Sequence, residues 1–202
     1  MICYKIQQNT PEWYALRLGR ATASNFPKIM AHEGKAFGDP AKEYAERIAI
    51  ESITGVSVES YTNEWMERGH ELEPIARRLY EERFLTQVSD GGFFASDCGR
   101  FGGSPDGLCE TGGIEIKSVK WNTQMSTLKG ASNKYLWQIV GNIWLGELEY
   151  IDYVSYCPEM PESKQLFVQR IERDEELIKR LTTRLNDFWE LVELNKNLLN
   201  NE

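Results

Sequence analysis

The chain has 202 residues, 41% of them apolar and 27% charged, with a formal net charge of −8. This is ordinary globular composition, enough to build one substantial core, and no apolar run approaches the ~20 residues that a membrane-spanning helix needs. The four cysteines, Cys3, Cys98, Cys109 and Cys157, are widely spaced and form no C-x-x-C pair, which argues against zinc-ribbon and dithiol-redox chemistry.

With no basic-then-apolar leader at the N-terminus, the expectation is a cytoplasmic protein whose thiols are reduced and packed inside. Residues 1–202 read as one domain. The pair Asp39-Pro40 predicts a helix, Asp39 as N-cap and Pro40 as its first residue, running through Tyr44, Ile48 and Ile50 to a stop at Gly55. A longer helix is predicted from Asn63 to Phe84, because Trp65, Leu72, Ile75, Leu79 and Tyr80 recur at helical spacing. Pro74 either kinks it or shifts its start. The period then changes. Phe93-Phe94, Arg100-Phe101 and Ile114 with Ile116 read as strands, separated by the turns Gly91-Gly92, Gly102-Gly103 and Gly112-Gly113. A helix from Tyr135 to Leu145 follows, then strands Tyr150 to Cys157 and Gln165 to Ile171 around a turn holding Pro158 and Pro161. From Asp174 onward, Leu177, Leu181, Leu185, Phe188 and Val192 share one face of a long amphipathic helix. The order of helices and strands is that of an α/β domain.

Chemistry concentrates in the middle of the chain. Ser104-Pro105-Asp106-Gly107 is followed by Gly113-Ile114-Glu115-Ile116-Lys117. In a strand, residues i and i+2 share a face, so Glu115 and Lys117 project together, away from the apolar Ile114 and Ile116. Asp106, at the end of the preceding hairpin arm, closes on that face. Two carboxylates and an ammonium converging on one point suit phosphodiester hydrolysis. Mg²⁺ takes one or two protein carboxylates plus phosphate oxygens and water, and a lysine can position or help deprotonate the attacking water. The bland alternative is an exposed strand pair beside an ordinary Asp-Gly turn.

Other residues join this candidate site. Glu71 and Glu73 lie on the long helix, and one of them can face a metal, whereas Glu81 and Glu82 read as a solvated acidic face. Gln138, among Trp137 and Ile139, needs a polar partner. His32 and His70 do not form a metal-ligand pair. Charge permits a polyanionic partner locally. Residues 1–50 carry seven bases against five acids, and residues 114–145 carry four lysines against Glu115 alone, although residues 51–110 carry twelve acids against five bases. A DNA-binding protein needs a positive track, not a basic average.

The ordered motifs resemble the phage lambda exonuclease family, the viral-recombinase branch of the PD-(D/E)XK nucleases. Trp13 to Gly19 followed by Thr22-Ala23-Ser24 is similar to its N-terminal W-x-x-L-R-L-G…T-A-S segment. Arg68-Gly69-His70-Glu71-Leu72-Glu73 is similar to its first acidic helix, Ser104-Pro105-Asp106-Gly107 with Glu115-Ile116-Lys117 to its core motif, and Tyr135-Leu136-Trp137-Gln138 to its glutamine helix. Tyr156-Cys157-Pro158 and Glu172-Arg173-Asp174-Glu175 also match. The resemblance implies a central mixed β-sheet flanked by helices, of the restriction-endonuclease-like kind. It implies Mg²⁺ (two ions, with Mn²⁺ able to substitute) on Asp106, Glu115, the Ile116 carbonyl and Glu73. Lys117 would be the catalytic lysine and Gln138 its support. Arg17, Ser24 and Ser104 would bind a 5′-phosphate, and Met66 would wedge the DNA end apart. A 5′-to-3′ exonuclease on double-stranded DNA ends follows, in a ring-shaped homotrimer partnered by a single-strand annealing protein. Arg68, where an aromatic is expected, and Gly141-Asn142 depart from the pattern. Two rivals are a structure-specific or restriction-type endonuclease and a catalytically silent DNA-binding adaptor. The absence of clustered cysteines argues against an iron–sulfur variant.

Overall fold

A computed structural model describes residues 1–58, 64–130 and 134–201, with the backbone alone for 64–67. In chain order the elements are β1 (Ile2–Tyr4), α1 (Pro11–Arg17), β2 (Ala21–Thr22), a 3₁₀ turn (Ala23–Asn25), α2 (Phe26–Met30), α3 (Asp39–Thr54) and α4 (Glu64–Phe84). There follow β3 (Ser89–Asp90), β4 (Phe93–Ala95), β5 (Phe101–Gly103), β6 (Gly107–Leu108), β7 (Gly112–Ser118), α5 (Trp121–Leu128) and α6 (Leu136–Gly146). The chain continues through β8 (Tyr150–Tyr156), α7 (Glu162–Gln165), β9 (Leu166–Glu172) and α8 (Glu175–Asn200).

Two mixed sheets result, where one central sheet was expected. The smaller runs β1-β4-β5-β2 and the larger β3-β6-β7-β8-β9. Strand β7 is antiparallel to β6 and parallel to β8. A parallel neighbour requires a crossover, and α5 with α6 supplies it. Alternation along the larger sheet sends residues to opposite layers. Ile114, Ile116, Val154 and Tyr156 pack with Ala76 and Tyr80 of α4. Ile151 and Tyr153 enter the main core with Ile139, Val140 and Ile143 of α6 and residues of α3 and α8. Helices therefore cover both faces, as the resemblance implies. Among the described residues, no helix is long and apolar enough to cross a membrane.

Helix α8 starts where Asp174 accepts hydrogen bonds from the amides of Glu176 and Leu177, satisfying two of the free N–H groups of its first turn. Leu181, Leu185, Phe188 and Val192 on its apolar stripe are all buried, each contributing about 1.5–3 kcal/mol of transfer free energy.

Several local expectations are corrected. The cap of α3 is Gly38, with Asp39 already the first helical residue. In α4 Ile75 is exposed and Ala76 occupies the buried position beside Tyr80, so the apolar stripe is displaced by one residue. The start at Asn63 falls outside the described residues, and Pro74 is accommodated inside the helix on its exposed side. Glu81 is not merely solvated, since its Oε1 accepts the Val88 amide at 2.8 Å and ties down the turn after α4. Of the four thiols only Cys157 is buried. Gly102-Gly103 and Gly112-Gly113 are strand residues, not turns. A side chain at Gly102 would strike the ring of Phe93, and one at Gly103 would strike Asn142. These glycines are needed for close approach. Only Gly91-Gly92 turns the chain, with Gly92 at φ +64°.

Candidate active site

The parallel pairing of β7 with β8 fixes the catalytic strand in the centre of the sheet. Its alternation turns Glu115 inward, 0% exposed, toward α6. Burying a carboxylate is costly unless it is compensated, and three side chains do so. Lys117 Nζ lies 2.6 Å from Glu115 Oε1. Gln138 Nε2 donates to the same oxygen at 2.5 Å, and Asn142 Nδ2 donates to Oε2 at 3.0 Å. Gln138 and Asn142 are four apart on α6, so one helix face presents both amides.

Asp106 follows Pro105 in the link between β5 and β6. Gln8 Nε2 donates to the Pro105 carbonyl at 2.7 Å, and Gly91 leaves room for that carbonyl where a side chain would collide with it. The Asp106 amide donates to Ile114 at 3.0 Å, and its Oδ2 accepts the Ile116 amide at 2.6 Å. The carboxylate thus replaces the strand partner that β6, already ended, no longer provides. Backbone carbonyls two residues apart face the same way, so the Ile116 carbonyl shares this edge with Asp106. Hard oxygen donors of this kind suit Mg²⁺. Among the described residues no three Asp, Glu, His or Cys side chains form a metal-holding group by themselves, so a cation here draws on the backbone carbonyl, water or substrate as well.

The charges interact strongly. Burial pushes Glu115 up to about 8, with the Asp106 charge adding to the shift. Glu73, half-buried on α4, is raised to about 7 by burial and then by Asp106. Asp106 is itself raised, chiefly by burial, against the opposing pull of Lys117. For Lys117 burial acts to lower the pKa, but the charges of Glu115 and Asp106 outweigh it and hold the amine above its ordinary value. In this form Lys117 is a cation rather than a base. Glu73 makes no printed hydrogen bond to Asp106 or Glu115; it belongs to the site through charge and through the shared groove.

That groove, about 680 Å³, is lined by Asp106, Glu115, Lys117 and Glu73 at one end and by Arg17, Arg20, Arg47 and Ser24 along its wall. Trp13 joins the expected anion-binding residues. Its Nε1 donates to Ser104 Oγ at 2.8 Å, and the Arg17 guanidinium lies 4.2 Å from its ring centroid. Arg17 Nη2 donates to Ser24 Oγ at 3.3 Å. The three residues named for the 5′-phosphate therefore converge. Ser104, however, already donates its proton to the Gly92 carbonyl at 2.7 Å, so it needs a rotated hydroxyl to meet an anion. Ser24 sits inside the 3₁₀ turn, and the cap of α2 is Asn25. Met66 lies in α4, with its side chain outside the described residues. His70 lines the groove and is exposed. Arg68, the departure from the motif, pairs with Glu159 at 2.6 Å beyond β8.

Three contributors escaped the sequence reading. Trp13 was visible only as part of a motif. Asn142 was set aside as a departure. Glu51, 7% exposed, accepts the Gly19 amide at 3.3 Å and the Val58 amide at 3.3 Å, bracing the loop after α1. A lone acid among Ile48, Ala49 and Ser52 was the available signal.

Comparison with known proteins now has a frame. A family model described as the YqaJ-like viral recombinase domain matches residues 12–149. The alkaline exonuclease LHK-Exo of Laribacter hongkongensis is 32% identical and superimposes with a TM-score of 0.84, covering 94% of this chain and 96% of its own. The same exonuclease in complex with dAMP gives 0.85 at the same identity and coverage. A phage-related exonuclease from Haemophilus somnus 129PT, 16% identical, covers 91% of this chain and 98% of its own with a TM-score of 0.72, a likeness of fold. Curated proteins gave no match. The chain is therefore a PD-(D/E)XK-fold nuclease and belongs to the YqaJ-like viral recombinase family, the group of phage lambda exonuclease and the alkaline exonucleases.

Proposed function

We propose that this nuclease is a 5′-to-3′ exonuclease that digests one strand of double-stranded DNA from its end and leaves 3′ single strands for annealing. The observation that carries this reading is the meeting of Asp106, Glu115 and Lys117 in a groove whose wall bears Arg17 and Ser24. The relative LHK-Exo binds dAMP, a nucleoside monophosphate of the kind such digestion releases.

Asp106, Glu115 and the Ile116 carbonyl would hold Mg²⁺, with Glu73 as a further acid, and Mn²⁺ has the same taste for oxygen donors. When bound, the ion neutralises charge on the phosphoryl group and makes water a stronger acid. Lys117, held cationic by its neighbours, orients the attacking water and offsets charge that accumulates on the phosphate oxygens. Gln138 fixes the Glu115 carboxylate, and Trp13 keeps Arg17 and Ser104 on one side of the groove. Arg17, with Ser24, receives the terminal 5′-phosphate as a charge-assisted donor. A ring-shaped homotrimer and a single-strand annealing partner complete the proposal on the strength of the family.

Duplexes labelled at one 5′ end, with and without a 5′-phosphate, in Mg²⁺, Mn²⁺ or EDTA, test it. Release of the label from the 5′ end as mononucleotide, lost in EDTA, is expected. Release from 3′ ends alone overturns the polarity. Nicking of covalently closed circles points to an endonuclease, and DNA binding without cleavage to a silent adaptor.

A further inference from the structure

Asn142 is 0% exposed, lies one turn beyond Gln138 on α6, and donates to Glu115 Oε2 at 3.0 Å. Its own Oδ1 is buried without a hydrogen-bond partner. A buried amide with one group unsatisfied costs about 1–3 kcal/mol, so packing alone would favour a leucine of similar volume. The space is also specific. Asn142 Oδ1 lies against Gly103, where any side chain would collide with it. The amide is therefore held with its Nδ2 toward the carboxylate. The reverse orientation would set Oδ1 against Glu115, oxygen against oxygen.

The donors divide the carboxylate between them. Oε2 meets Asn142, on the interior side. Oε1 meets Gln138 and Lys117, and Lys117 is the one of these partners left 23% exposed. A single anchored oxygen leaves one lobe of Glu115 to face outward.

We infer that Asn142 is a positioning residue that pins Glu115 Oε2 inside, so that Glu115 offers a divalent cation only Oε1. This rests on the metal-dependent reading above and adds to it a determinant of ion choice. One oxygen per carboxylate suits Mg²⁺, which demands near-ideal octahedral geometry. Ca²⁺ accepts bidentate carboxylates and irregular shells. Freed of Asn142, Glu115 can turn and present both oxygens, which helps Ca²⁺ more than Mg²⁺.

The test uses the full chain without DNA. Asn142→Leu keeps the volume and removes the donor. Binding of Mg²⁺ and of Ca²⁺ is measured by calorimetry and by thermal shift, and cleavage of a 5′-labelled duplex is measured in parallel. The Mg²⁺ dissociation constant should rise about 10–100-fold, the usual effect of removing a group that orients a metal ligand. The Ca²⁺ constant should rise several-fold less, so that the ratio of the two moves toward Ca²⁺. An unchanged Mg²⁺ constant, or Mg²⁺ and Ca²⁺ weakened in equal proportion, overturns the inference. Should Asn142→Leu not fold, Asn142→Ser, smaller and too short to reach Oε2, reads the same ratio. If the unaltered protein binds neither ion and cuts no DNA, it is the metal-dependent reading that fails; if it binds and cuts while both variants match its ion ratio, the positioning role alone fails.

Discussion

Replacing Lys117 by methionine leaves Glu115, 0% exposed, without the ammonium now 2.6 Å from its Oε1. A buried charge stripped of its partner costs about 3–5 kcal/mol. Glu115 has a way to avoid that cost, which is to stay protonated. Its pKa already stands at about 8 with the lysine present, and without it must go higher. An acid whose folded pKa exceeds its unfolded value binds more protons when folded, so stability falls as pH rises from the unfolded pKa to the folded one. In the parent protein that fall from Glu115 ends near pH 8, beyond which the group is ionised in both states. In Lys117→Met it continues, at a slope of up to about 1.4 kcal/mol per pH unit. Guanidinium unfolding in EDTA at pH 7, 8 and 9 reads it directly. The two proteins should differ least at pH 7 and diverge above pH 8, with the same m-value. Parallel stability curves across that range would refute the account of Glu115 as a buried acid governed by its lysine.

Other outcomes follow from the same geometry. Protons compete with a cation for Glu73 and Glu115, raised to about 7 and about 8; the gain in Tm on adding Mg²⁺ should therefore be small at pH 6 and grow toward pH 9, and a gain that is flat with pH argues against these ligands. Trp13→Phe keeps the ring under Arg17 but deletes the 2.8 Å bond to Ser104. It should cost about 0.5–1.5 kcal/mol of stability and reduce the preference for 5′-phosphorylated over 5′-hydroxyl duplexes, with the rate on hydroxyl ends little changed. Phe188→Ala empties a fully buried site and should lower unfolding stability by about 3–5 kcal/mol, measured as a shift of the denaturation midpoint.

The sequence speaks most clearly where periodicity is long. Helices α3, α4, α6 and α8 and strands β7, β8 and β9 were placed to within a few residues, since each carries a sustained apolar pattern. The short elements were missed. Strands β1, β2, β3 and β6 have two or three residues each, too few to display alternation, and exist because neighbouring strands pair with them. Helix α5 buries Gln124, whose amide reaches the carbonyls of Ser155, Lys164 and Gln165; a helix anchored by a polar residue has no apolar stripe to detect. In the site, Asp106, Glu115 and Lys117 were legible because strand geometry couples i to i+2. The meeting of Arg17 with Ser104 was not derivable from spacing, because it depends on Trp13 crossing 91 residues of sequence. Asn142 was hidden for a different reason. Its meaning lies in Gly103, a glycine that reads as a turn until the strand around it is seen.

The last helix has a part to play well away from its own surface. Phe188 stacks on Tyr44 with ring centroids 5.7 Å apart, and the Tyr44 hydroxyl accepts the amide of Thr22, two residues before Ser24. Arg180 grips Glu33 with two hydrogen bonds, and Arg184 lies 3.7 Å over the ring of Phe37. A polypeptide broken off short of Phe188 would keep every acid and the lysine, yet lose the splint beneath the place where a DNA terminus rests. Interrupted synthesis or a cut in the last helix would yield a blunted nuclease, one that retains its cutting edge and loses its grip.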